Sequence, residues 1–270
     1  MRLININNLL FPNQFLKEIC NHFIITKKER FKNKFVFASL KMPQDTLEAK
    51  LDVRKGPLAD IFPLFDPSTI QEANGIMARR ESMPQIRNEW LWTADFPMYA
   101  VEGGEAFLYL APKEHNLMFR DIDNATTQLL ATGNYVPPKE GIDEVVAAAA
   151  AGKALKVKIS DLQLEKYDPN DEYGFFNVNP DNTDSLNPAQ KLLVQAIYGA
   201  SKPGKRVYVL DSEYVKNTLK GKEESAISRA SRLDGADYGS RFDADDRYVG
   251  GPYGGLLGVL KEAPKAPQKK

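Results

Sequence analysis

Apolar residues in this chain come in short runs separated by Pro, Gly and charged residues, and no run approaches the roughly 20 residues a membrane-spanning helix needs. From Leu58 to Arg80 the apolar positions are broken by Pro63 and Pro67, after which Ser68 or Thr69 is placed to cap a helix running through about Ala78. The stretch EWLWTADFPMYAVEGGEAFLYLAP alternates in the manner of strands. Its Gly103-Gly104 pair predicts a strand, a turn and a second strand over Ala106 to Leu110. Trp90 and Trp92 are assigned to buried packing rather than to a ligand platform. Helical spacing returns from Ile142 to Ala151, which includes five consecutive Ala and stops at Gly152. ALKVKISDLQLEKYD then predicts one long or two short strands. Asn187-Pro188 opens a helix over Ala189 to Tyr198, with Pro in its first turn and Gly199 as its stop. VYVL is short enough for a buried strand, and Asp211 caps the helix that follows, which Gly221 ends. Ala226 to Leu233 and Leu256 to Leu260 complete the strands, with Gly258 permitting close backbone approach.

Composition narrows the function classes. The 270 residues, 43% of them hydrophobic, suffice for one large or two ordinary domains. Basic and acidic residues balance at 36 each, so no general attraction to nucleic acid or to an acidic membrane is implied. Cys20 is the single cysteine, which excludes an internal disulfide framework. Residues 1–41 differ from the rest, with eight Lys or Arg against two Glu and much Asn and Ile. Polar residues interrupt every apolar run there, against a signal peptide. The segment reads as a weakly anchored extension, or as a start codon placed too early with Met42 as the first residue.

The chemistry is concentrated in the tail. Between Asp234 and Gly255, 14 of 22 residues are Asp (five), Gly (six) or Tyr (three), while Lys, Glu, Leu, Ile and Asn are absent. Tyr with Gly and small polar neighbours is the composition of paratopes, because Tyr contributes large contact area at small rotamer cost. Around these positions runs a frame of Arg229, Ala230, Ser231, Arg232 and Leu233, then Ser240, Phe242, Ala244, Arg247 and Val249, then Leu257, Gly258 and Val259.

This rhythm, S-x-F-x-A-x-x-R-x-V followed by L-x-G-V, resembles the variable region of target proteins of diversity-generating retroelements. NPAQKLLVQAIYG and RVYVLDSEYVKNTL look similar to the segments that precede it in that family, so the resemblance covers about the last 80 residues. Leu257 departs from the pattern where Arg is common, and Pro252 would stiffen its loop. The resemblance implies adenine-directed mutagenesis. Asn codons randomised at their first two positions yield Asp, Gly, Tyr, Ser, Arg, Ala and Pro, but not Lys or Glu. It also implies an α+β fold with a C-type-lectin-like, formylglycine-generating-enzyme-like domain over 151–262, its variable region at 228–260. A mixed α/β region over 42–150 would precede it, and a disordered tail over 263–270 would follow. The ligand-binding positions would be Asp234, Gly235, Asp237, Tyr238, Gly239, Asp243, Asp245, Asp246, Tyr248, Gly250, Gly251, Tyr253 and Gly254, projecting from a constant scaffold. Tyr238, Tyr248 and Tyr253 would be the anchors. The five Asp would favour a protein or other macromolecular partner with a basic patch.

Catalytic readings have little material. His22 and His115 are the only histidines, no Gly-rich loop has the phosphate-cradling form, and the cysteines of the related oxidases have no counterpart in this domain. Asp243, Asp245 and Asp246 resemble a calcium loop in composition but lack its later bidentate Glu. Asn179-Pro180-Asp181 reads as a turn rather than a sugar motif. The sequence thus predicts a binding protein and not an enzyme. No cofactor, metal site, nucleic acid partner or membrane span is expected, homo-oligomerisation is left open, and a cytoplasmic or virion-associated location is favoured over secretion. The competing class is a structural or assembly module whose Gly-Tyr loops meet fixed neighbours.

Overall fold

The computed structural model describes residues 50–222 and 225–261, all within one unit spanning Asp45–Lys270. The basic extension over 1–41, Met42 and the tail over 263–270 lie outside the described residues. The fold is α+β. Its strands are β1 (Leu51–Lys55), β2 (Leu91–Trp92), β3 (Phe96–Glu102), β4 (Glu105–Ala111), β5 (Leu155–Lys158), β6 (Tyr173–Asn177), β7 (Arg206–Leu210), β8 (Ala226–Ser228), β9 (Ala230–Leu233), β10 (Phe242–Asp246) and β11 (Gly255–Val259). They form a seven-stranded sheet in the order β1-β11-β2-β9-β10-β7-β6 and a four-stranded sheet in the order β5-β4-β3-β8. Helices α1 (Ala73–Ser82), α2 (Ile122–Thr132), α3 (Lys139–Ala150), α4 (Pro188–Tyr198) and α5 (Ser212–Leu219) accompany them. No described helix is long and apolar enough to cross a membrane.

Local chemistry explains several of these elements. Gly103 and Gly104 both take positive φ, turning β3 into β4 along a ladder from Phe96↔Ala111 to Glu102↔Glu105. Helix α4 opens with a capping box. The Asn187 side chain accepts from Gln190 N at 2.9 Å, and the Gln190 side chain accepts from Asn187 N at 3.0 Å. Asp211 caps α5 by accepting from Glu213 N and Tyr214 N.

The structure departs from the local signals at three places. The helix expected from Ser68 or Thr69 is a single 3₁₀ turn, Pro67–Thr69, capped by Asp66, and α1 starts only at Ala73. The intervening residues pair with the closing strand instead, since Val259 N donates to Thr69 Oγ1 at 2.8 Å and Gln71 N to Leu257 O at 3.0 Å. Beyond β5 the chain forms a 3₁₀ turn, Ile159–Leu162, rather than a second strand. The strand expected over Ala226 to Leu233 is split at Arg229. Its first half, β8, pairs with β3 in the small sheet, and its second half, β9, lies between β2 and β10 in the large one.

The strands do not respect the expected division between 42–150 and 151–262. β1 pairs antiparallel with β11, β2 sits between β11 and β9, and β8 pairs with β3. Segments from both regions are hydrogen-bonded neighbours in both sheets, so they cannot bury their apolar faces independently. The core has two parts on opposite sides of the central strands. Leu91, Leu233, Phe242, Ala244 and Leu257 join Ile197, Val207 and Val209 in one. Trp92, Ala230 and Leu256 join Phe65, Phe96, Tyr109 and Leu129 in the other. Leu256 and Leu257 point to opposite parts, as strand alternation requires. Gly258 lies against Phe65 and the Ile70 backbone, where a Cβ would stand 3.1 to 3.3 Å from its neighbours.

Candidate functional site

Strand β10 builds the centre of the site by period-two alternation. Phe242 and Ala244 face the core, whereas Asp243 and Asp245 line a cleft of about 450 Å³ on the other face. The register between β10 and β9 slips after Asp243, and this irregularity sets Asp246 beside Arg232 as well. The other walls are Tyr167, Asn170, Asp171, Glu172 and Tyr173 from the segment entering β6, Tyr208 from β7, and Arg229, Arg232, Arg241, Arg247 and Tyr248.

Arg232 is the hub beneath this cleft. Its Nε reaches Asp234 Oδ1 at 3.1 Å and its Nη2 reaches Asp243 Oδ2 at 2.8 Å, while Nη1 pairs with Asp246. Its guanidinium lies 3.8 Å from the centroid of the Trp90 ring, a cation–π stack. Arg241 pairs with the second oxygen of Asp234. Arg229, buried where β8 passes into β9, donates to Asn134 Oδ1 at 3.1 Å, Asp245 O at 3.1 Å, Glu172 Oε2 at 2.7 Å and Tyr214 Oη at 2.9 Å. These bonds tie the small sheet, α5 and the cleft wall to β10.

The electrostatic balance is short of positive charge. Burial, and next the charge of Asp245, push the Asp243 carboxyl up to about 7, against the pull of Arg232. Burial likewise raises Asp245, with Arg229 and Arg232 opposing.

The expected binding positions fall into three groups. Tyr238, Tyr248 and Tyr253 are 72%, 65% and 76% exposed, and Asp237 and Gly250 are exposed with them. Asp245, Gly239 and Gly251 are half-buried. The cleft collects Asp243, Asp245, Asp246 and Tyr248, whereas Gly239 belongs to a separate groove with Ala236, Ser240, Arg87 and Lys205. The third group does not project outward. Asp234, Asp243 and Asp246 are buried on Arg232, because β-strand alternation and the register slip turn them toward that guanidinium. Gly235 and Gly254 are buried too. A Cβ on Gly235 would meet the Asn88 backbone, and one on Gly254 would enter the Trp92 indole. The surface is therefore less acidic than five outward Asp would make it.

Sequence reasoning missed the fixed wall formed by Tyr167, Asp171, Glu172, Tyr173 and Tyr208. A signal was available in KYDPNDEYG, residues 166–174, which repeats the tail's mixture of Tyr with small polar and acidic residues. Leu130, 62% exposed and in contact range of Gly250, was also missed. Elsewhere the earlier readings can be placed directly. Trp92 is buried and Trp90 partly so, Asp181 N donates to Asn179 Oδ1 at 3.0 Å in a local turn, and His115 ends a 3₁₀ turn beside Glu144.

No protein-family model and no curated protein matches this chain. Among solved structures, one described as "Accommodation of massive sequence variation in Nanoarchaeota by the C-type lectin fold" is similar to it. The TM-score is 0.46 at 9% sequence identity, over 78% of this chain and 96% of the other.

Proposed function

We propose that this protein is a ligand-binding protein of C-type-lectin-like architecture. Its exposed 237–253 surface would be varied by retroelement-directed mutagenesis of adenines, and it recognises a macromolecular partner without catalysing a reaction. The observation that carries this reading is the exposure of Tyr238, Tyr248 and Tyr253 on loops whose flanking strands, β9, β10 and β11, are buried in the large sheet. Three such rings stand exposed in one 16-residue stretch, Tyr248 also meeting the Arg247 guanidinium at 5.6 Å, and Tyr suits protein contacts because one end is apolar and the other bears a hydroxyl. Two features support the architecture: the closing strand β11 pairs with the first described strand, and β9 leads directly into the Asp-Gly-Tyr loop.

Replacing Tyr238, Tyr248 and Tyr253 together with Ala is expected to abolish partner capture. Thermal unfolding should stay within a few degrees, since exposed substitutions usually cost under about 0.5 kcal/mol each. Collapse of the fold in the triple variant would count against a surface role.

The diversification part has its own test in the surrounding DNA. A near-copy of the sequence coding for residues 228–260, differing chiefly where the copy carries adenine and lying beside a reverse-transcriptase reading frame, is the expected finding. A locus with neither element would move the reading to an assembly module with fixed partners.

A further inference from the structure

Resting on the reading of the 237–253 surface as a binding face, we propose that the groove beside the Ala236–Tyr238 turn holds an acidic segment of the protein partner, its carboxylates on Arg87 and Lys205 and its aliphatic carbon on the groove floor. This groove is separate from the cleft at β10. Its volume is about 600 Å³, and it lies between α1, the segment leading into β7 and the turn that joins β9 to β10. The walls carry Arg80, Arg87, Lys202 and Lys205 against Glu81 and Asp181, a local excess of cations in a chain whose charges balance at 36 each. Lys202 is held by Asp181 at 2.7 Å. Arg80, Arg87 and Lys205 form no ion pair among the described residues, whereas each of the four guanidiniums in the β10 cleft meets a carboxylate.

Arg80 builds this imbalance into the fold. It is 7% exposed and donates to Asp234 O at 2.6 Å, Ser240 Oγ at 3.1 Å, Glu89 O at 2.9 Å and Leu233 O at 3.2 Å, all of them neutral groups. These bonds hold the guanidinium without cancelling its charge. Burial lowers its pKa to about 10, so it is still a cation at pH 7, and a charge lacking a counter-ion at a groove wall favours anions there. The two outer cations are tied to the turn that displays Tyr238. Lys205 N donates to Gly239 O at 2.9 Å, and its stem crosses Gly239, where a Cβ would stand 2.9 Å from Lys205 Cδ. The Arg87 carbonyl accepts from Ala236 N at 2.8 Å. Asp237 is exposed on the same turn but does not line the groove. Met77, Pro84, Pro203 and Ala236 give the groove an apolar side, which suits a peptide with carbon to bury better than an inorganic anion, and the free cations select an acidic one.

The test is a titration of the full chain with acetyl-Asp-Glu-Leu-Asp-Glu-amide, followed by backbone amide NMR, alongside the Asn-Gln-Leu-Asn-Gln analogue, inorganic phosphate and a short oligothymidylate. The acidic peptide is expected to shift resonances in 77–87, 202–205 and 236–240, more weakly as salt is raised, and the amide analogue to leave them unmoved. Arg87→Gln/Lys205→Gln should weaken binding at least threefold with an unchanged melting temperature, since both side chains are exposed and Gln keeps part of each stem. Glu81→Gln removes the groove's one carboxylate that pairs with no cation among the described residues, and should bind the peptide at least as tightly as the unaltered chain. Absence of shifts with the acidic peptide, equal binding of the amide analogue, less than threefold weakening in the double variant, weaker binding in Glu81→Gln, or groove shifts produced only by phosphate or only by the oligothymidylate would each overturn the proposal. None of those results touches the tyrosine surface, which the triple Tyr variant and the gene neighbourhood test separately.

Discussion

Arg232→Ala is expected to lower the free energy of unfolding by about 3–5 kcal/mol, the range for removing one partner of a buried ion pair. The reason lies in the number of charges that depend on it. Asp234, Asp243 and Asp246 are all buried and all paired to this one guanidinium. Of the cations that remain nearby, Arg241 is already engaged with Asp234, and Arg80 is spent on the backbone carbonyls of Asp234, Glu89 and Leu233. Truncation also removes the stack on Trp90. Urea unfolding at pH 8 is the measurement, because Asp243 is then charged and the loss is greatest. As pH falls through about 7 Asp243 takes up a proton, so the deficit should shrink. Arg232→Lys should recover only part of the loss, since an ammonium cannot reach three carboxylates in the directions a planar fork does. Arg247→Ala is the matched control. Its partly exposed pair with Glu172, at 3.5 Å, predicts a change of at most about 1 kcal/mol. If Arg232→Ala unfolds no more easily than Arg247→Ala, the hub assignment is wrong.

The behaviour of Arg232 also shows which parts of the fold were legible in the sequence. Where structure is decided by neighbours along the chain, the reading succeeded. Asn187-Pro188 with Gln190, Asp211 before Ser212, and Gly103-Gly104 between two alternating runs each fix backbone hydrogen bonds within a few residues. Where structure is decided by distant partners, it failed. Nothing local tells Ala226 to Leu233 to change sheets at Arg229. That break follows from the side chain finding Asn134, Glu172 and Tyr214, residues far apart in sequence. Thr69, likewise, is drawn away from a helix by Val259, 190 residues later. The site was half legible for the same reason. Composition located the exposed tyrosines, because an unusual run of Tyr, Gly and Asp is visible without knowing the fold. It could not tell outward from inward Asp, since that depends on strand alternation and on the register slip beside Arg232. Nor could it supply the wall at 167–173, which only the β6-β7 pairing brings to β10.

Gly235→Ala is expected to destabilise the protein by about 1–3 kcal/mol, whereas Gly251→Ala should be neutral or slightly stabilising. Both glycines belong to the Asp-Gly-Tyr window and look equivalent in the sequence. Their surroundings differ. Gly235 has an ordinary φ of −60°, so conformation is not the obstacle. A Cβ there would stand 2.5 Å from Asn88 O, 2.6 Å from Asn88 C and 2.8 Å from Asn88 Cα, all backbone atoms that cannot rotate away. Relief requires the 234–238 loop to lift off the 86–89 segment, which would break the bond from Ala236 N to Arg87 O at 2.8 Å. Arg80 would be disturbed as well, since it donates to Asp234 O and Leu233 O from the same side. At Gly251 the nearest atom is Tyr248 O at 3.5 Å, an ordinary contact, and the left-handed region is not used. Differential scanning calorimetry of the two single variants decides the matter. If the gene diversifies as proposed, the same geometry filters what survives. Among variants of this protein sequenced from its population, position 251 should carry many residue types. Position 235 and the indole-packed position 254 should remain Gly, because any side chain there works against the scaffold that displays the others.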